Sequence, residues 1–151
     1  MRLRDKLLAL AVFAAVMVST SAASAQGVQL FAVLNGGNEV TNDGAAAAGD
    51  PNGFGAATVI FAGSGRICYG LVVHRISAPT AAHIHVGRAA VNGPIVITLA
   101  ASNAGNPGVI GGCISGLDNA LLRKIQKTPG EFYVNVHNEQ FLGGAIRGQL
   151  Q

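Results

Sequence analysis

Apolar residues recur along this chain in short runs, about ten residues apart, with Gly, Asn, Pro and Ser between them. Val28 to Leu34, Ala56 to Ala62, Arg66 to His74, Ala82 to Gly87, Pro94 to Leu99, Val109 to Ser115, Phe132 to His137 and Ala145 to Leu150 are the predicted strands. Three of them alternate with period two. Ala82, Ile84 and Val86 oppose His83 and His85; Phe132, Val134 and Val136 oppose Tyr133, Asn135 and His137; Ile146, Gly148 and Leu150 oppose Ala145, Arg147 and Gln149. The punctuation between runs agrees. Gly63-Ser64-Gly65 reads as a hairpin turn, Ser77-Ala78-Pro79-Thr80 as a break before the histidine strand, and Gly143-Gly144 as a turn before the last strand. Asn92-Gly93 is expected to adopt positive φ, and Gly111-Gly112 to mark a bulge or close strand packing.

One segment has helical period. Over residues 118–127, Leu117, Leu121, Leu122 and Ile125 fall on one stripe, Ser115 or Asp118 can cap the start, and Pro129-Gly130 stops it. The longest irregular stretch, Asn35 to Phe54, contains the turn signal Asp50-Pro51-Asn52-Gly53 and is expected to be a contact loop. The fold class is therefore all-β, an antiparallel sandwich or barrel with one short helix, in a single domain from residue 26 to 151.

The first residues depart from this pattern. A basic start, Met1-Arg2-Leu3-Arg4-Asp5-Lys6, leads into an apolar run from Leu7 to Val18 and then the small-residue sequence Ala23-Ser24-Ala25. This is the layout of a secretory signal peptide over residues 1–25, too short in its apolar part to span a bilayer comfortably. The expectation is an exported protein, periplasmic or secreted, with no transmembrane segment once the leader is gone. The net charge of +3 falls to +1 with Arg2, Arg4, Lys6 and Asp5 removed. No basic stripe remains and the chain lacks Trp, which argues against nucleic acid as a partner. In an exported chain, the only two cysteines, Cys68 and Cys113, are expected to form a disulfide; two separate buried thiols are the alternative.

Four motifs then fall in order. Leu34-Asn35-Gly36-Gly37-Asn38-Glu39-Val40 resembles the opening of the CHRD (chordin) domain, and Ala81-Ala82-His83-Ile84-His85-Val86-Gly87 its central strand. Tyr133-Val134-Asn135-Val136-His137 and Gly144-Ala145-Ile146-Arg147-Gly148-Gln149-Leu150 resemble its last two. Thr41 stands where that family often has Pro, and Ala145 where Glu is common. The resemblance implies a Greek-key or immunoglobulin-like β-sandwich in an exported protein, and it supplies no catalytic residues to carry over. It also groups Glu39, His83, His85, Asn135, His137 and Arg147 as a polar cluster.

That cluster has two readings. Neighbouring imidazoles on one strand face, with a third from another strand, give three nitrogen ligands for Cu or Zn: His83, His85 and His137. The histidine strand is similar to one in copper-zinc superoxide dismutase, but only His74 remains to enlarge the set, which weakens a dismutase-like activity. Alternatively the histidines hydrogen-bond to Asn135, Arg147 or backbone carbonyls, Glu39 pairs with Arg147 or accepts from a histidine, and the cluster fixes register without holding anything. His74 is expected to be solvated. No nucleophile elbow, HExxH helix or phosphate loop is present, and residues 42–52 lack the ligand spacing of an EF-hand. The leading expectation is a non-catalytic interaction or structural module that contacts a protein or a cell-envelope component; the alternative is a small Cu or Zn protein.

Overall fold

In the computed structural model, which describes residues 27–151, eight antiparallel strands make one continuous sheet. They are β1 (Gln29–Asn35), β2 (Phe54–Phe61), β3 (Arg66–His74), β4 (Pro79–Val86), β5 (Ile95–Leu99), β6 (Gly108–Ser115), β7 (Phe132–Asn138) and β8 (Ile146–Gln149). Across the sheet the order is β5-β4-β7-β8-β1-β2-β3-β6. The proposed signal peptide lies outside the described residues.

The all-β expectation holds; the two-sheet sandwich is replaced by a single curled sheet, a half-barrel. The reason lies at the β1–β8 junction. Asn35 pairs with Arg147, and Phe31 and Gln151 exchange backbone hydrogen bonds at 3.0 and 2.9 Å, so both halves of the sheet share one ladder. The curl brings distant strands together: the Tyr69 hydroxyl on β3 accepts from the Ala100 N–H just beyond β5, at 2.8 Å.

Alternation decides what lies inside. Leu30, Ala32 and Leu34 of β1, Ile67, Leu71 and Val73 of β3, Ile84 of β4 and Val134 and Val136 of β7 line the concave face. Helix α1 (Asn119–Lys127) adds Leu122 and Ile125 to the same core. Asp118 caps it, its carboxylate accepting from the Ala120 N–H at 2.8 Å. Asp118→Ala should lower unfolding stability by about 1 kcal/mol in urea titration; an unchanged midpoint would mean that the cap contributes nothing.

Cys68 and Cys113 face each other in the β3–β6 register and are bonded at 2.03 Å. Denatured protein should titrate no thiol before reduction and two after it. Two thiols before reduction would overturn the bridge.

Several local expectations need correction. Pro79 does not precede the histidine strand but begins it, a position that tolerates a missing N–H. The positive φ near Asn92-Gly93 falls instead on Ala90, at 61°. Gly93 is needed because a Cβ there would overlap the Val86 carbonyl. Gly111-Gly112 makes no bulge; β6 stays in register with β3, and Gly112 gives room to the Tyr69 ring. The Asn35–Phe54 stretch is mostly docked. It makes a 3-10 turn at Gly36–Asn38 and buries Gly36, Glu39, Val40, Gly49, Asp50 and Gly53, while residues 41–47 at its tip and Gly37, Asn38, Pro51 and Asn52 stay exposed.

Candidate metal centre

The convex side of β4, β7 and β8 is covered as well. The burial of β7 shows it: Phe132, Val134 and Val136 face the core, yet Tyr133 and Asn135 on the other face are also buried. The registers make this covered face a lattice. His85 pairs with Tyr133, which pairs with Gln149; His83 pairs with Asn135, which pairs with Arg147; Ala81 pairs with His137. Small Ala81 leaves room beside His137, so the three histidines meet. Ring centroids are 5.1 Å apart for His83–His137, 5.6 Å for His83–His85 and 6.2 Å for His85–His137. One ring nitrogen from each lies within 4.8 Å of the other two. Among the described residues no carboxylate or thiolate joins this group.

Backbone carbonyls set two of the tautomers. His85 Nδ1 donates to the Gly93 carbonyl at 2.8 Å, and His137 Nδ1 donates to the Leu142 carbonyl at 3.0 Å. A carbonyl only accepts, so these Nδ1 atoms carry the protons and each Nε2 keeps its lone pair. Both Nε2 atoms, and Nδ1 of His83, are buried with no hydrogen-bond partner among the described residues. Burial, followed by the neighbouring imidazoles, holds His83 below its ordinary pKa. Burial also lowers His85 and His137, against the raising effect of their carbonyl bonds. The neutral rings are therefore free to donate lone pairs to a metal.

The remaining polar residues form a second, adjoining group. Arg147 is 1% exposed. Its Nη1 donates to Asn92 Oδ1 at 3.0 Å, and its Nη2 to the Val91 and Arg88 carbonyls at 2.8 and 2.9 Å. Its guanidinium lies 3.4 Å from the centre of the Tyr133 ring, whose β4-facing neighbour is His85, stacked at 4.8 Å and 9°. Glu39 sits 3.9 Å from Arg147, as the expected pair. Burial pushes the Glu39 carboxyl above its ordinary range. Its Oε2 and the Oδ1 of Asn135 have no partner among the described residues. Gly144, at φ 142°, lies against both, and a Cβ there would overlap them.

The three histidines expected to meet do so, and of the partners expected for them it is the backbone carbonyls that bond His85 and His137. Neither Asn135 nor Arg147 bonds a histidine, Arg147 being engaged by the covering segment and Asn135 by the Gly143 carbonyl. His74 is also corrected. It is half-buried and stacked on Phe54 at 5.1 Å, outside the cluster. Tyr133, Asn92 and the Gly93 and Leu142 carbonyls were missed. Tyr133 had a signal, its place on the face of His137; a carbonyl has none, since every residue supplies one.

No curated protein and no solved structure matches this chain. The sequence model of the CHRD domain matches residues 30–150, a span that runs from β1 to the end of β8 and contains every residue of both polar groups. The chain therefore belongs to the CHRD domain family.

Proposed function

We propose that this is an exported, non-catalytic domain that holds one Cu or Zn ion between His83, His85 and His137. One observation carries the reading: each histidine has a buried nitrogen without a partner, and one ring nitrogen from each comes within 4.8 Å of the other two. A buried polar atom without a partner costs about 1–3 kcal/mol, so three in one place call for a ligand. Carbonyl bonds from Nδ1 of His85 and His137 are the outer contacts that orient metal-binding imidazoles. The family and the Cys68–Cys113 bridge are consistent with export. Among the described residues no helix is long and apolar enough to cross a membrane.

Untagged protein reconstituted with Cu or Zn and desalted should carry about one equivalent of metal by elemental analysis, and His85→Ala should carry almost none. Absence of metal from the wild type would sink the assignment.

A second reading, contact with a protein or an envelope component, is favoured by the convex face of β1, β2, β3 and β6. Phe31, Val33, Phe54, Val72 and Val109 are exposed there. Replacing Val33 and Val109 together with Lys should release the protein from whatever retains it; unchanged retention in cell fractions argues against this face.

A further inference from the structure

Resting on the metal reading, we propose that the ion this centre selects is monovalent copper, held by the three imidazoles alone. Three features lead there, and each concerns what a divalent ion would lack.

The first is the number of donors. Zinc is almost always four-coordinate, and divalent copper takes tetragonal sites. Here three nitrogens converge, and among the described residues no Asp, Glu or Cys joins them. The partnerless nitrogens of all three rings are buried from water. A divalent ion that needs water as its fourth ligand would have to open the cluster. A monovalent d10 copper ion accepts three donors.

The second is charge. The donor set is neutral, and the cation Arg147 lies beyond His85, separated from it by the Tyr133 ring. The cost of moving an ion out of water grows with the square of its charge, so a dication is disfavoured far more than a monocation. Glu39, the carboxylate of the adjoining group, is already placed beside Arg147 at 3.9 Å.

The third is rigidity. The His85 ring is fixed by the Gly93 carbonyl on its edge and by Tyr133 on its face, and His137 by the Leu142 carbonyl. Both lie on strands of the same ladder. Rearrangement to a four- or five-coordinate shell would break these contacts. Thiolate and thioether ligands select monovalent copper through softness; this site would select it through coordination number and charge.

The test uses untagged wild-type protein under argon. Monovalent copper is presented as its bicinchoninate complex, and zinc against a chromophoric zinc chelator, so that both affinities are read by competition. The expected result is one monovalent copper per chain, bound at least about 100-fold more tightly than zinc. X-ray absorption of the copper protein should show three nitrogen neighbours. Zinc binding as tight as copper, or a fourth light-atom ligand on copper, would overturn the inference and leave the metal reading standing. Failure to bind either ion would overturn both.

Discussion

Arg147→Ala should destabilise the domain by about 3–5 kcal/mol, among the largest losses expected of any single substitution here. The side chain is 1% exposed and joins three parts of the molecule to β8. It donates to Asn92, Val91 and Arg88 in the segment that covers the polar face, stacks on Tyr133 of β7, and neutralises Glu39 in the loop after β1. Removal leaves three acceptors without their donor and a buried carboxylate without its cation, each a desolvation cost, besides a cavity beside the Tyr133 ring. Arg147→Lys separates charge from geometry. It keeps the cation, but one ammonium cannot span Asn92 and two carbonyls, so most of the loss should remain. Arg147→Met fills the volume without donors and should lie near the alanine variant. Urea unfolding of the three variants reads the order. A loss under about 1 kcal/mol for alanine would mean that the covering segment is held by other contacts.

The same side chain shows how far the sequence was legible. That Arg147 belongs with Glu39, Asn135 and the histidines followed from alternation along β4, β7 and β8 together with the family motifs. Strand positions were equally legible, since one buried face forces period two and a register slip would turn every side chain over. What escaped was set by the tertiary arrangement. Whether eight strands close as two sheets or one depends on backbone pairing at the β1–β8 junction, and backbone groups are alike at every residue. Backbone carbonyls were expected as partners of the histidines, but which ones, those of Gly93 and Leu142, escaped for the same reason. Asn92 was read as a turn former. Its side chain instead bridges Arg147 to the Val40 and Thr41 carbonyls, a role visible only once two distant loops are side by side.

The stability of the metal-free protein should fall as pH drops below about 6.5, and bound metal should add least where that loss is greatest. In the folded protein His83, His85 and His137 titrate below the ordinary histidine value of 6.5, chiefly because burial penalises the charged ring. In the unfolded chain the same rings take protons near 6.5. Below that pH the unfolded state binds more protons, so the histidine contribution, complete above 6.5, is lost as pH falls through the folded values. Glu39 works in the opposite sense. Its folded value is raised above 4.5, so its contribution is complete below 4.5 and is lost as pH rises through that folded value, which softens the acid loss. Metal enters through the same nitrogens. A metal at 100 times its dissociation constant should add about 2.7 kcal/mol to unfolding stability at neutral pH. Protons compete for the three lone pairs, so at fixed metal concentration the gain should shrink steadily towards pH 5.5. Thermal melts from pH 5.5 to 7.5, with and without metal, measure both effects. Replacing His83 and His137 together with Gln should flatten the pH dependence and remove the metal shift. A metal shift of equal size at both ends of that range, or one retained by the double variant, would place the ion on other groups.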